Sequence, residues 1–482
     1  MRRRRRPFLG VKRGAQHPFS DPRRRTESGW GDRLATAASR VADHSLLWWG
    51  VAALLAAGGR FGRRAAFRGL LGAGLASAVA NGPLKLLTRR RRPQSRRRLP
   101  GVRRPRTSSF PSGHAATAFG FATGVVQELP LAGVPVAALA GLVSYSRVRT
   151  GMHHAGDVVG GAVVGMAAGV ATRRLWPVAP HEPAEARALL TRAHVDPSPE
   201  GAGLVVVVNA SAGSGDTVAD ELRAELPRAE IVEIESGDDL LEALEAAADR
   251  ARALGVAGGD GTVNAAAQVA ADRKLPLLVV PGGTLNHFAH ALGVDTVADA
   301  AAAVRDGRVV VVDRAELAGQ TFLNTGSIGS YTDLVDAREK LEDRIGKWPA
   351  MVTALVGVLR HSEPVAVELD GVPTTVWMVF IGNCRYHPDG FGPSWRERLD
   401  DGMLDIRIVH GHPWSRVRLL AAVLTGTLGR SRVYEQRCVA RMEVRSLDGP
   451  LRLARDGETF DGPAAFAICK ADEPLRVFAP AP

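Results

Sequence analysis

The chain of 482 residues carries 62 Lys and Arg against 50 Asp and Glu, a net charge of +12. That length has room for two or three domains. Its three cysteines, Cys384, Cys438 and Cys469, lack the paired spacing of a disulfide framework or a cysteine-rich zinc site, and read as free thiols. The charge is divided: residues 1–176 hold 31 Lys and Arg against 6 Asp and Glu, net +25, and residues 177–482 are net −13. The basic part also holds the apolar stretches, so an anionic membrane surface explains it better than nucleic acid, which is not expected as a partner.

In chain order, residues 1–40 read as a basic tail. Arg2–Arg6 opens it, and no apolar signal-peptide core follows. Five apolar stretches come next: Val41–Gly59, Gly69–Leu87, Ala115–Gln127, Leu131–Tyr145 and Val158–Thr172. Their richness in Gly and Ala suits close-packed membrane helices, although several fall short of the ~20 residues that span a bilayer comfortably. Residues 41–176 are therefore expected to form an all-α membrane helical bundle. The proline-rich residues 177–200 read as a linker around one short helix, Ala184–Ala193.

The periodicity then changes. Leu204–Val208, Ile231–Ile234, Val256-Ala257 and Leu277–Val280 read as strands; Ala219–Leu226 and Leu240–Leu254 read as helices. This alternation predicts an α/β nucleotide-binding lobe over 201–312, with ligands at the carboxyl ends of its strands. Residues 313–482 are richer in strand-like runs: Val365–Leu369, Val376–Ile381, Leu404–Val409, Met442–Val444, Leu451–Ala454 and Ala464–Ile468. They predict a β-sandwich second lobe, with helices at Met351–His361 and Pro413–Leu428.

Three motifs mark the first part. Lys85 and Arg92-Pro93 form K-x(6)-R-P, Pro111-Ser112-Gly113-His114 follows, and Ser146-Arg147, His153 and Asp157 form S-R-x(5)-H-x(3)-D. Metal-free phosphate-ester hydrolysis needs a nucleophile, a proton donor and cations around the phosphoryl oxygens, and this set supplies all three. Together the motifs resemble the type-2 phosphatidic acid phosphatase family over residues 45–176. The resemblance implies His153 as nucleophile through a phosphohistidine and His114 as donor to the leaving oxygen. Asp157, four residues on, would hold the imidazole tautomer. Lys85, Arg92 and Arg147 would clamp the phosphoryl group, and Ser112 with the Gly113 amide would add bonds at a helix N-terminus. No cofactor is expected there. His154 competes with His153, and only the spacing separates them.

A second signature is Gly258-Gly259-Asp260-Gly261-Thr262. Such glycines let backbone amides approach phosphate, and Thr262 is placed to cap the next helix. Asn209 with Gly213-Ser214-Gly215, the run Pro281–Ala289 containing Gly283 and Thr284, and Asp456-Gly457-Glu458 complete a set that resembles the diacylglycerol kinase catalytic family over residues 202–479. Asn324 and Gly326 fit a loop of that family near the active site. The resemblance implies ATP and Mg2+, with Asp456 as general base on a lipid hydroxyl. Asp260 and Glu458 would hold the metal. Asn209, Gly258, Gly259, Asp260, Gly261, Thr262, Gly283 and Thr284 would hold the nucleotide. His287, Ala265 and Arg398 depart from the common pattern, where many relatives carry Asp, Glu and a metal-site Lys. These departures bear on the acceptor and on a structural ion near Asp401-Gly402.

The expected whole is a multi-pass cell-membrane enzyme joining a lipid phosphate phosphatase to an ATP-dependent lipid kinase. Membrane lipids and ATP are its partners, and the oligomeric state is left open. A membrane-tethered regulatory protein with one inactive domain, or a phosphatase joined to an NAD kinase-like domain, are the other readings. ATP requires a cytoplasmic kinase. Five spans would then put the phosphatase motifs outside, against the positive-inside tendency of the arginine runs, whereas a sixth or re-entrant segment would put both sites inside.

Overall fold

The computed structural model describes residues 46–93, 107–189, 199–209, 215–235, 239–283, 285–329, 363–389, 394–411, 414–425 and 428–481. The basic tail, the expected helix Met351–His361 and Thr284 lie outside them. The chain divides into two compact units, residues 1–173 and 174–482.

The first unit is all helical. Its elements are α1 (Leu46–Ala56), α2 (Gly59–Val79), α3 (Lys85–Thr88), α4 (Gly113–Glu128), α5 (Pro130–Arg149) and α6 (Ala155–Leu175). A π-helical turn at Ala80–Leu84, around Pro83, joins α2 to α3. Small residues let the helices meet closely. A Cβ on Gly120 would stand 2.6 Å from the Gly72 carbonyl oxygen, and one on Gly165 would stand 2.3 Å from that of Ala116. Trp48 and Phe121 fill the wider gap with ring centroids 5.0 Å apart, among Ala65, Ala73, Ala118 and Val125.

The polarity of this unit is inverted. Leu54, Phe67, Leu131, Val134, Val159 and Val170 face outward, while Arg68 and Glu128 are buried and paired at 2.7 Å. Arg68 also donates to Thr172 at 3.2 Å, tying α2, α4 and α6 together. Apolar outer faces with paired charges inside are what lipid requires. Among the described residues, three helical stretches are long and apolar enough to cross a membrane: Gly59–Thr88, Pro130–Arg149 and Ala155–Arg174. Among the described residues α1 and α4 are shorter than a bilayer core at ~1.5 Å per residue, and three of the five expected stretches reach spanning length there. The arginine-bearing start of α2 was missed from sequence because Arg60, Arg63, Arg64 and Arg68 mask its apolar face.

The second unit has two lobes. The first holds β1 (Arg187–Ala188), β2 (Leu204–Asn209), α7 (Gly215–Glu225), β3 (Glu230–Ile234), α8 (Leu240–Ala248), β4 (Ala253–Gly258), α9 (Asp260–Asp272), β5 (Leu277–Pro281), α10 (His287–Ala291), α11 (Val297–Asp306) and β6 (Val309–Val312). The second lobe adds β7 (Ala315–Leu317), β8 (Gln320–Phe322), β9 (Thr325–Gly329), β10 (Val365–Leu369), β11 (Val372–Asn383), β12 (Tyr386–His387), β13 (Trp395–Arg396), β14 (Leu404–His410), α12 (Ser415–Thr425), β15 (Tyr434–Val439), β16 (Arg441–Ser446), β17 (Leu451–Arg455), β18 (Glu458–Gly462) and β19 (Ala465–Lys470). The last strand, β20 (Leu475–Phe478), returns to the first lobe, giving the sheet order β1-β6-β20-β5-β4-β2-β3.

Strands β2 to β5 are parallel, and β2 and β4 are buried almost throughout, as helices on both faces demand. Eleven of the second lobe's strands form an antiparallel sheet that curls like a sandwich, and β12 and β13 pair in a separate two-stranded sheet. The core of the larger sheet comprises Leu317, Phe322, Ile328, Val379, Ile381, Ile406, Met442, Leu453 and Ile468. β16 alternates exposed and buried residues, the signature of a one-sided strand.

Two expected elements take another form. The expected helix Ala184–Ala193 is extended where described: Arg187 and Ala188 pair with Val311 and Val310, and Leu189 N donates to Val309 O at 2.9 Å. A sheet edge with free backbone groups outweighs the helix propensity of alanine. The expected helix Leu240–Leu254 ends at Ala248, after which Arg252 N and Ala253 N donate to Gly203 O and Leu254 joins β4 opposite Val205.

Candidate active sites

In the helical unit the three motifs meet at one end of the bundle. Thr88 Oγ1 donates to Phe110 O at 2.7 Å, and Ser109 N to Arg90 O at 2.9 Å, joining the first motif to the second. Ser112 N donates to Asp157 O at 2.8 Å, joining the second to the third. Ser112 is buried and its hydroxyl caps α4 by accepting from Ala115 N at 3.4 Å. Gly113 allows close approach: a Cβ there would stand 2.5 Å from Asn81 Oδ1, which accepts from Lys85 Nζ at 2.6 Å. Arg147 is buried at the end of α5, and its carbonyl accepts from the His153 amide at 3.1 Å. His114 stands half-buried in the first turn of α4.

His153 is buried, with its two ring nitrogens in different surroundings. Nδ1 lies 2.7 Å from the Ser109 carbonyl oxygen, so it carries the proton. Nε2 is left as the lone-pair nitrogen, 3.4 Å from Arg92 Nη1. Arg92 is held by Met152 O at 3.0 Å and Thr107 O at 3.2 Å. Burial, then the neighbouring Arg92 cation, pull the His153 pKa down to about 4, which keeps the ring neutral.

Asp157 is arranged differently from the expectation. It is 3.8 Å from His153 Nδ1, and the carbonyl of Ser109 holds that nitrogen more closely. The Asp157 carboxylate instead accepts from His154 N at 2.9 Å, contacts His154 Nδ1 at 3.2 Å, and pairs with Arg90 at 2.9 Å. Spacing i, i+4 stacks two side chains only within a helix, and α6 begins at Ala155, after His153. His154 has a side chain 40% exposed, against 4% for His153. Sequence reasoning missed Ser109, which acts through its backbone, and Arg90, one of four consecutive arginines.

The second unit builds its site from loops after parallel strands. Gly258 ends β4 and Asp260 begins α9. The two glycine turns nest: Gly282 N donates to Gly258 O at 3.1 Å, and a Cβ on Gly283 would stand 2.5 Å from Gly259 Cα. Asn286 staples the second turn, accepting from Gly283 N at 2.9 Å and donating to Gly283 O at 2.7 Å. Asn209 Nδ2 donates to Thr262 Oγ1 at 3.2 Å, linking β2 to α9. Gly261 faces Glu458 so closely that a Cβ would stand 2.1 Å from its Oε1.

Asn324 connects the two acidic groups. Its Nδ2 donates to Asp260 Oδ1 at 3.3 Å, and its backbone N donates to Asp456 Oδ1 at 2.9 Å. Asp456 also accepts from Leu323 N and Thr325 N, both at 2.8 Å. Burial raises its pKa to about 6; the three amide bonds oppose that rise, and nearby Asp260 adds to it. The buried Arg396, unnoticed in the sequence, donates to Asn324 Oδ1 at 2.9 Å and to Leu323 O at 2.7 Å. Asp260 also accepts from the amides of His287 and Phe288 at 3.2 Å, so position 287 contributes its backbone.

The residues suit a nucleotide and a divalent cation. Glycine cradles admit phosphate, and Asp260 and the exposed Glu458 converge on the N-terminus of α9. The structural ion suggested near Asp401-Gly402 fits poorly. Asp313, Cys384 and Asp401 cluster there, but Lys470 Nζ fills the cationic role, 3.0 Å from Asp313, 2.6 Å from Asn383 Oδ1 and 3.3 Å from Cys384 Sγ. The Asp401 carboxylate accepts the amides of Arg385 and Met403.

Comparison with known proteins finds a lipid kinase domain and a PAP2 domain in this chain. Residues 203–317 match the diacylglycerol kinase catalytic domain, and residues 66–179 match the PAP2 superfamily. A protein of Pseudomonas savastanoi pv. phaseolicola named "Probable lipid kinase YegS-like" is 32% identical over 234 residues, covering 45% of this chain and 74% of its own. A diacylglycerol kinase structure from Bacillus anthracis is similar at 22% identity and TM-score 0.42, over 57% of this chain and 96% of that one. A transmembrane PAP2-type phosphatidylglycerolphosphate phosphatase from Bacillus subtilis is similar at 24% identity and TM-score 0.25, over 30% and 77%. The chain belongs to the YegS-like lipid kinase family, with a PAP2 domain joined ahead of the kinase.

Proposed function

We propose that the chain is a bifunctional membrane enzyme, a metal-independent lipid phosphate phosphatase joined to an ATP- and Mg2+-dependent kinase of diacylglycerol or a similar lipid alcohol. The observation that carries the first activity is the His153 geometry: proton on Nδ1, lone pair on Nε2, Arg92 alongside. Nε2 attacks phosphorus, the P–O bond to the lipid breaks, and His114 protonates the leaving oxygen. Water then attacks the phosphohistidine and releases phosphate. Lys85, Arg92 and Arg147 offset the charge on the phosphoryl oxygens. The Ser109 carbonyl, with Asp157 behind it, stabilises the imidazole as it gains positive charge.

In the second unit Asp456 takes the proton of the lipid hydroxyl as that oxygen bonds to the γ-phosphorus of ATP, the bond from that phosphorus to the β–γ bridging oxygen breaks, and ADP leaves. Asn209, Gly258, Gly259, Gly261, Thr262 and Gly283 hold the nucleotide, and Thr284 belongs to the same motif. Asp260 and Glu458 would hold magnesium, which when bound would supply positive charge beside the phosphate oxygens. ATP places this unit in the cytoplasm, on a multi-pass membrane protein.

The test is the full chain in nanodiscs against a panel of lipid phosphates and lipid alcohols, with and without ATP and magnesium. Phosphate release without ATP, and ATP-dependent phosphorylation of a lipid alcohol, are the expected results. Absence of either activity across the panel removes that half of the proposal.

A further inference from the structure

Residues 411–433 contain four arginines, Arg416, Arg418, Arg430 and Arg432, and no Asp or Glu. They lie in a part of the chain, residues 177–482, whose net charge is −13. Helix α12 falls within this stretch. One side of it is packed: Ser415, Leu419 and Ala422 are buried, and Leu419 and Ala422 cluster with Trp377, Val409 and Leu428.

A second stripe is open. Trp414 is 74% exposed and Val417 58% exposed, and Arg418 and Ala421 are exposed as well. Positions 414, 417, 418 and 421 follow the i, i+3, i+4, i+7 spacing of a single helical stripe. Arg430 and Arg432, just beyond the helix, are also exposed. Trp414 has a backbone φ of 66°, in the left-handed region that a bulky residue rarely adopts. Its carbonyl accepts from Arg418 N at 2.9 Å, so this strained residue starts the helix.

A helix lying on a soluble surface normally turns its charged side to water. This one turns out a tryptophan, a valine and an alanine, with arginine among them and no acid in the stretch. That composition suits the headgroup layer of a bilayer. Indole rings settle at the interface, arginine meets lipid phosphate, and apolar side chains reach the acyl boundary. We propose that Trp414, Val417, Arg418 and Ala421, supported by Arg430 and Arg432, form a docking face for an anionic phospholipid bilayer. Its use, bringing a lipid alcohol to the cleft, rests on the kinase reading; the docking itself does not.

The experiment uses the full chain in nanodiscs of phosphatidylcholine, with or without about one third phosphatidylglycerol. In a Cys438→Ser, Cys469→Ser background, Val417→Cys carries an environment-sensitive fluorophore, and an unchanged thermal unfolding midpoint and circular dichroism spectrum confirm the fold. In anionic discs the emission should shift to the blue and be quenched by doxyl-labelled lipid. In neutral discs the quenching should fall several-fold. Equal quenching in both discs overturns the anionic preference. Quenching by aqueous iodide alone overturns docking, and protection from both quenchers means that protein covers the face and also overturns it. Arg418→Glu with Arg430→Glu should abolish the difference between the two discs. If lipid quenching occurs but no lipid alcohol is phosphorylated, docking stands and the kinase reading fails; active kinase without lipid quenching gives the reverse.

Discussion

The two proposed sites gather side chains of opposite charge. In the helical unit, Lys85, Arg92 and Arg147 belong to the motifs around a neutral histidine, and the one carboxylate, Asp157, is taken up by Arg90 and His154. In the second unit the groups are Asp260, Asp456 and Glu458, and the buried Arg396 is bound to Asn324 and backbone carbonyls. Cations can receive a phosphate directly. Carboxylates need a positive charge between themselves and the phosphate. The scaffolds differ to match: helix ends and a short loop in a lipid-facing bundle, glycine turns after parallel strands in the other unit.

Chelation should separate the two sites most completely. With EDTA, phosphoryl transfer from ATP should fall to background while lipid phosphate hydrolysis persists, measured by phosphate release from the same nanodiscs. Loss of hydrolysis as well would mean that the cationic cluster does not act alone. Next in size is His153→Ala, expected to lower hydrolysis by about 1,000-fold or more while kinase turnover is unchanged. Retained hydrolysis here, with loss in His154→Ala, would transfer the nucleophile to the exposed neighbour. Asp456→Asn should lower kinase kcat by about 100-fold with ATP binding little altered. Near-normal turnover would leave Asp456 as a brace for residues 323–325.

The smallest effect is the pH response. Both groups act deprotonated, so each activity is lost as pH falls through the group's pKa. Kinase kcat/KM should decline by about tenfold per unit below about pH 6, the value that burial gives Asp456. The His153 contribution to hydrolysis should hold until about pH 4. Coincident acid limbs would break the contrast.

Much of this was legible in the sequence. The motif residues of the helical unit gather at one bundle end, and a strand does enter the Gly258–Thr262 turn, but it takes in Ala253 and Leu254, expected as helix, and the next helix starts at Asp260 with Gly259 at its N-cap, so Thr262 lies inside it and does not cap it. What stayed hidden has physical causes. Ser109 works through a backbone carbonyl, which no side-chain pattern advertises. Arg396 and Lys470 look like ordinary surface cations until the fold buries one and sets the other among Asp313, Asn383 and Cys384. Residues 184–189 have helical composition, yet a distant strand edge claims their backbone. The orienting of His153 went to Ser109 because helix α6 starts two residues later than the spacing argument needs.

Strand β20 has a consequence for how the protein is made. It lies between β6 and β5, so the whole second lobe is an insertion between two neighbouring strands of one sheet. A ribosome synthesises the chain from β6 to β20 in on the order of 10 to 30 s at ordinary rates. Throughout that interval β5 and β6 lack the strand that joins them. The seven-stranded sheet is therefore complete only once β20 has been made, whereas β4 and β5, which carry the two glycine turns, pair with each other without it.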